Sequence, residues 1–290
     1  MSYLLLLRRE VDPPLLAETL AEMLSLPVTA IDVGDDGEDE RNWAAPISCT
    51  VTHLGGDLPL HLDIYVADDV ASPSKADAGA WLAARLNTVV AYKSVPLPPS
   101  AYWLVGPDGR RTRGRLVDED ERGHLLSSGR RIAAVESAIS LLDDVPVAPL
   151  VEVIGEYRMP TPIADELATT VKPSDETAIR SAVTDLASWE GLVARLVSGW
   201  PPDGWYPPDY YRERLEIRDG LATAEQELPE SARAEFMAAL AEVDRLFAEA
   251  TVDDGGRALA SVTGSVPDRW WWHRISHPLP WQKMPGTVTG

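Results

Sequence analysis

The sequence predicts an α+β fold, in which a mixed antiparallel sheet with packed helices precedes an all-α domain and a tail rich in tryptophan and proline. Three observations lead to this prediction. Apolar and polar residues alternate in the first half, which is typical of strands with one buried face. In the second half apolar residues recur at helical spacing over about three segments. Between the halves, prolines interrupt every periodic pattern.

The first elements are predicted from local signals. Residues 3–9 favour a strand, and Asp12 is a suitable N-cap for the helix that follows it. Pro13 and Pro14 fit the first turn of this helix, because the N–H groups of a first turn have no intrahelical acceptor. A second strand is expected over residues 28–33.

Two hairpins are the clearest features of the first half. A Gly-Gly-Asp turn at residues 55–57 separates one pair of alternating segments, and a Gly-Pro-Asp-Gly turn at residues 106–109 separates another. Helices are expected over residues 74–92 and, as the closing element of this half, over residues 128–142. The paired strands are expected at residues 47–51 with 58–66 and at residues 102–105 with 110–117.

The second half is predicted to be helical after a proline-rich segment. Five prolines between residues 146 and 173 favour a linker or an extended packing segment. Three amphipathic helices are then expected, over residues 176–198, 207–228 and 229–250. The predicted domain boundaries are 1–144 for the α+β domain, 145–175 for the proline-rich segment and 176–290 for the helical domain with its irregular aromatic tail.

The charge balance narrows the classes of partner. The chain has 46 acidic and 26 basic side chains and a net charge of −20. Because neutralising phosphates requires a positive surface, this balance argues against nucleic acid as a partner, and equally against anionic membranes. No segment approaches the roughly 20 apolar residues of a membrane span and no signal peptide is recognisable, so a cytoplasmic protein is expected.

Motifs for covalent, cofactor or metal chemistry are missing. Cys49 is the only cysteine, which excludes an intramolecular disulfide and a cysteine-built zinc site. Gly-x-Ser-x-Gly, Gly-x-Gly-x-x-Gly and Gly-Lys-Ser/Thr do not occur. His273 and His277 lie four residues apart, but the prolines after them argue against the helix that would align them. His53 and His61 could face each other in the first hairpin, where solvent-facing strand residues are the simpler interpretation. We therefore predict no catalytic residue, no cofactor and no metal site.

Two charged patches and an aromatic cluster stand out. A dense acidic loop can attract a basic partner and raise its association rate. Arginines that alternate along a strand can share one face and bind an anion, although they could also offset nearby acids or protect an edge strand. Tryptophan is enriched in interface hot spots, although a tail folded back over the helices would bury its rings. The candidate partner-binding residues are Asp35, Asp36, Glu38, Asp39, Glu40, Trp270, Trp271 and Trp272, and the candidate anion-binding residues are Arg111, Arg113 and Arg115.

An ordered series of motifs fills residues 185–281. The motifs are Trp189-Glu190-Gly191, Arg218-Asp219-Gly220-Leu221, Asp244-Arg245-Leu246-Phe247 and Trp270-Trp271-Trp272-His273-Arg274. This series resembles a small helical module that is widespread in actinobacterial proteins and frequent near polymorphic toxin genes. The resemblance implies an immunity context, brings no catalytic residue and does not extend to the first half. A structural interpretation of the Arg-Asp and Asp-Arg pairs is that they form inter-helix salt bridges beneath an aromatic tail.

The sequence favours a non-enzymatic, acidic binding protein of the immunity or antitoxin kind, whose partner would be a basic toxin. The acidic surface, the lack of catalytic motifs and the aromatic clusters all agree with this interpretation. Two alternatives stay open. One is a small-ligand sensor or enzyme with an anion site at residues 111–115, and the other is a structural protein that self-associates through its tryptophan-rich tail.

Overall fold

A computed structural model describes residues 2–38, 41–95, 101–119, 129–171 and 177–282 of the chain. These residues form an α+β protein, which confirms the predicted fold class. The chain divides into two compact units, named here the sheet unit (Met1–Glu156) and the helical unit (Tyr157–Gly290). Each unit contains its own set of buried apolar side chains.

The described part of the sheet unit is built around a mixed sheet of eight strands. The strands are β1 (Ser2–Leu7), β2 (Ile31–Asp35), β3 (Ile47–His53), β4 (Leu60–Val66), β5 (Val90–Lys93), β6 (Tyr102–Val105), β7 (Arg111–Glu119) and β8 (Gly129–Val135). They lie in the order β2-β3-β4-β1-β5-β6-β7-β8. The pair β2–β3 is parallel, and the other neighbouring strands are antiparallel.

Apolar side chains cover both faces of this sheet. On one face, α1 (Pro13–Leu24) and α2 (Lys75–Leu86) bury Leu16 and Leu82 against the strands. On the other face, the segment after β8 contributes Ile139 to a second cluster. Burying one such side chain stabilises a fold by about 1.5–3 kcal/mol, so these two clusters hold the helices and the sheet together.

Both predicted hairpins are present. In the first, β3 and β4 pair antiparallel with the buried Cys49 opposite Ile64. His53 lies opposite a leucine and His61 opposite a threonine, so the two histidines are not direct cross-strand neighbours. The second hairpin turns at Gly109, whose φ of +77° is a left-handed conformation that glycine adopts without a Cβ clash.

Two predicted helices are wrong in extent or in kind. The helix expected over residues 74–92 ends at Leu86, because Asn87 takes a left-handed φ of 48° and the chain then enters β5. The helix expected over residues 128–142 is absent from the described part of that segment, which instead forms β8 over Gly129–Val135 and pairs with β7. Alanine, arginine and glutamate in this segment favour a helix locally, but long-range pairing with β7 overrides that preference.

The helical unit contains five described helices and a short two-stranded ribbon. The segment expected as a linker, residues 145–175, carries one helix that ends the sheet unit and one that begins the helical unit. No helix among the described residues is long and apolar enough to cross a bilayer. The elements are α3 (Val151–Glu156) in the sheet unit, and α4 (Pro162–Thr170), α5 (Thr177–Val197), α6 (Pro208–Ala224), α7 (Glu230–Ala250), β9 (Val252–Asp253), α8 (Arg257–Thr263) and β10 (Arg274–Ile275) in the helical unit.

Aromatic rings form the core of the helical unit. Trp189 on α5 is fully buried and lies 4.7 Å from the ring of Phe247 on α7. Beside it, the buried Glu190 accepts hydrogen bonds from the backbone N–H groups of Ile163 and Ala164 at 2.9 and 2.8 Å. These N–H groups belong to the first turn of α4 and have no acceptor within the helix, so the carboxylate caps α4 from α5.

Candidate functional site

The described part of the acidic loop continues from β2, the strand at one edge of the sheet. The side chains of Asp35, Asp36 and Glu38 are exposed there. The loop is folded against its neighbours, because Asp36 N–H donates to the carbonyl of Val51 at 2.8 Å and Glu38 Oε2 accepts from Asp35 N–H at 3.2 Å. The other two predicted residues of this loop, Asp39 and Glu40, lie outside the described residues.

A histidine joins the loop to a further carboxylate. His53 Nδ1 lies 3.1 Å from Glu10 Oε2, and its Nε2 lies 3.4 Å from Asp35 Oδ1. The hydrogen bond to Glu10 raises the pKa of His53, and the Asp35 carboxylate acts in the same direction. Glu10 therefore extends the negative surface beyond the loop, a contribution that the sequence spacing did not indicate.

The structure adds an exposed tryptophan to this region. Trp43 is 67% exposed, and its ring lies 4.9 Å from the guanidinium carbon of Arg41. Arg41 is buried and held by three acceptors: Asp32 Oδ2 at 2.6 Å and the carbonyls of Gly34 and Cys49 at 3.1 and 2.9 Å. Trp43 thus lies over an anchored cation. Sequence reasoning missed it because a single tryptophan outside any periodic segment gives no pattern.

Gly34 connects the tryptophan to the acidic loop. A Cβ at this position would clash with Glu38 Oε2 and lie 2.7 Å from the Cδ of Arg41, so the two side chains meet over the glycine. The cation beneath Trp43 is therefore next to the acidic loop. We name this surface the acidic edge, and it consists of Glu10, Asp35, Asp36, Glu38 and Trp43.

Two of the three predicted anion-binding arginines have carboxylate partners. Arg115 Nε and Nη2 donate to Glu152 at 2.6 and 2.9 Å, a bidentate pair with α3. Arg113 pairs with Glu156 at the end of the same helix. Arg111 remains exposed. An anion site at these residues stays a prediction, and the geometry leaves Arg111 as the member whose charge faces solvent.

The three adjacent tryptophans of the tail have different environments. Trp270 is 41% exposed, whereas Trp271 and Trp272 are 8% and 4% exposed. The indole N–H groups of the two buried rings donate to Asp219 at 2.8 and 3.1 Å. Partner binding by this cluster stays a prediction, and Trp270 is the ring that a partner could reach in the described structure.

Of the two arginines that the sequence places in inter-helix salt bridges, Arg218 forms such a bridge and Arg245 does not. Arg218 on α6 donates to both carboxylate oxygens of Asp244 on α7, at 2.8 and 2.6 Å. The expectation for Arg245 is wrong, because it pairs with Glu242 and Glu249 on its own helix. These carboxylates lie three and four residues away, where side chains of one helix meet most easily.

The potential metal ligands of the described residues are histidine and carboxylate side chains and a single cysteine. Among them, no group of three or more histidine, cysteine or carboxylate side chains could hold a metal ion. Burial raises the pKa of the Cys49 thiol to about 12, which leaves almost no reactive thiolate near neutral pH. Comparisons of the chain with protein-family models, with curated proteins and with solved structures gave no match. The functional argument therefore rests on the geometry of the chain itself.

Proposed function

We propose that this protein is a non-enzymatic binding protein of the immunity kind, which masks a basic protein partner with the acidic edge. The observation that carries the proposal is Trp43, a large ring that is 67% exposed and lies over Arg41, whose side chain meets the loop carboxylate of Glu38 over Gly34. Carboxylates alone have a simpler explanation, since charged residues commonly protect edge strands against aggregation. An anchored, exposed indole among them is what a binding hot spot requires.

The chemistry of the acidic edge defines the partner that fits it. Carboxylates at the edge attract lysine and arginine side chains and steer a basic protein toward the surface before contact. The indole supplies apolar surface that is removed from water on binding. Because the ring already rests on Arg41 in the free protein, it loses less side-chain entropy when a partner binds. The resemblance of residues 185–281 to a module found near toxin genes supports a toxin as this basic partner.

The test replaces the exposed indole and measures binding. The proposal predicts that a basic effector protein is encoded beside this gene. The Trp43→Ala variant of the full chain is titrated with that effector, and the dissociation constant is measured by calorimetry. Truncating a hot-spot tryptophan costs about 2 kcal/mol or more, so binding should weaken by about 30-fold. Far-ultraviolet circular dichroism should be unchanged, because the ring is mostly outside the core.

Trp270→Ala is the comparison variant, since it removes the exposed tryptophan of the tail, the other ring that is predicted to bind a partner. Its dissociation constant should stay within about twofold of wild type, the range of neutral surface substitutions. A loss of binding in Trp270→Ala without one in Trp43→Ala would place the interface on the tail and overturn the proposal. A basic neighbour that does not bind the wild-type chain would overturn it as well.

A further inference from the structure

A cleft opens in the sheet unit where β1 and β5 separate. In the described residues, β1 pairs with β5 at two positions, Leu6 with Ala91 and Leu7 with Val90. The hairpin of β5 and β6 continues further, to the pair Lys93 and Tyr102. The gap left beside this extension has a volume of about 780 Å³, which is within the usual range of small-molecule sites.

Basic and aromatic side chains line this cleft. The described lining residues include no carboxylate, although acidic residues outnumber basic ones by 46 to 26 in the chain. A concentration of positive charge against this background indicates a site for an anion. The cationic lining residues are Lys75, Lys93, Arg111 and Arg130, and the ring-bearing ones are His61, Tyr92, Tyr102 and Trp103.

Neighbouring rings position two of the cations. The guanidinium carbon of Arg111 lies 4.9 Å from the centre of the Trp103 ring. Arg130 Nη1 donates to the Tyr102 hydroxyl at 3.1 Å, and its Nε lies 3.4 Å from a carboxylate oxygen of the exposed Asp118. Both guanidinium groups are therefore oriented before any ligand arrives, which lowers the entropy lost on binding.

The remaining walls supply a helix terminus and apolar surface. Ser74 caps α2 by accepting from a backbone N–H of its first turn, and this turn lines the cleft with Lys75. The positive end of the helix dipole lies at this wall, and the Asp77 carboxylate of the same turn, which accepts from the Ser74 hydroxyl at 2.6 Å, offsets part of its charge. Leu6 and Ala91 provide an apolar floor from the sheet. Burial and the nearby Arg130 lower the pKa of His61, so this ring is neutral at pH 7 and can hydrogen-bond a ligand.

We propose that this cleft binds a phosphorylated small molecule with a ring of nucleoside size. Several cations around one opening match the multiple charge of a phosphate ester, and guanidinium groups donate to its oxygens in pairs. The apolar floor and the aromatic walls match the ring. The site is distinct from the acidic edge, because no residue of the acidic edge lines the cleft.

The test uses the full chain without any protein partner, so its outcome is independent of the immunity proposal. Adenosine, guanosine, cytidine and uridine 5′-monophosphates are the probes, and their parent nucleosides and inorganic phosphate are compared with them. Binding is measured by thermal shift and calorimetry at low salt. At least one monophosphate should bind at least tenfold more tightly than both its nucleoside and inorganic phosphate.

Substitutions locate the binding within the chain. Arg111→Gln and Lys93→Gln should each weaken the best probe about tenfold or more, because each removes an exposed lining charge. Arg110→Gln is the matched control, since Arg110 is the adjacent arginine and does not line the cleft. Equal losses in Arg110→Gln and Arg111→Gln would overturn the proposal. Binding of no monophosphate, or equal binding of inorganic phosphate, would overturn it too.

Discussion

At the scale of single residues, Asp219 explains the arginine-aspartate pair of the helical unit. Its carboxylate accepts hydrogen bonds from the indole N–H groups of Trp271 and Trp272, and Arg269 pairs with it at 2.8 Å. The preceding residue, Arg218, reaches α7 instead. Two adjacent residues on α6 therefore attach two different segments, and the tryptophan tail is held by hydrogen bonds as well as by packing.

Asp219→Asn should destabilise the helical unit by about 1–3 kcal/mol. The asparagine amide is uncharged and has one acceptor oxygen in place of two, so the hydrogen bonds from the two indoles are weakened or lost. Urea unfolding followed by tryptophan fluorescence measures the loss, since seven of the ten tryptophans belong to this unit. Asp203→Asn, at an exposed position of the same unit, is the control and should unfold like wild type. Equal midpoints for the two variants would show that the hydrogen bonds to Asp219 do not stabilise the tail.

At the scale of elements, α3 explains why two of the three predicted anion-binding arginines already have carboxylate partners. The sequence places this segment in a proline-rich linker, where no carboxylate partner for β7 is expected. In the structure the helix presents Glu152 and Glu156 to Arg115 and Arg113. The charges of β7 and α3 thus neutralise each other, although the two elements are far apart in the sequence. A local sequence pattern cannot reveal such a long-range contact.

The pairing of α3 with β7 predicts a pH dependence. Burial is the largest single effect and acts to raise the pKa of Glu152. The hydrogen bond from Arg115, a backbone hydrogen bond and the charge of Arg115 together outweigh burial, so the pKa lies below its usual value of 4.5. The ionised carboxylate therefore stabilises the fold at pH values above about 4.5, and this contribution is lost as the pH falls through the lowered pKa.

Glu152→Gln should accordingly lower the free energy of unfolding by about 1 kcal/mol at pH 7, the usual scale for a partly exposed ion pair. The difference from wild type should disappear below the lowered pKa, where both side chains are uncharged. Denaturant unfolding between pH 7 and pH 3 measures it, with Glu18→Gln on the exposed side of α1 as the control. A difference that stays constant with pH would contradict the ion pair as its source.

At the scale of the whole molecule, a net charge of −20 can act in two ways. As a diffuse charge it keeps the protein soluble and attracts any basic protein weakly. Concentrated at the acidic edge, it would steer one partner into one orientation. These two effects differ in their response to local neutralisation, because only the second depends on which carboxylates are removed.

Neutralising the described loop carboxylates separates the two effects. The variant Asp35→Asn, Asp36→Asn, Glu38→Gln should slow association with the basic partner about tenfold at low salt. At about 1 M salt the rates should converge, because the Debye length falls to about 3 Å. Stopped-flow kinetics measure these rates. The matched control, Asp203→Asn, Glu227→Gln, Glu235→Gln, removes the same charge from the helical unit. If the loop variant and this control slow association equally, the effect of charge is diffuse rather than local.

The sequence by itself determined the features that depend on neighbours along the chain. Both hairpins, the burial of Cys49 and the helical character of the second half follow from periodicity and turn residues, which report one buried face over a short span. The Arg218–Asp244 bridge also agreed with a sequence-based expectation.

The tertiary structure alone decided which distant residues meet. It turned residues 129–135 into a strand, because pairing with β7 outweighs local helix preference. It brought Lys75, Lys93 and Arg130 from three separate elements to one cleft, and it placed Trp43 over Arg41 at the sheet edge. Such sites depend on strand order, which no local pattern encodes, since the free energy that selects it comes from packing the whole sheet.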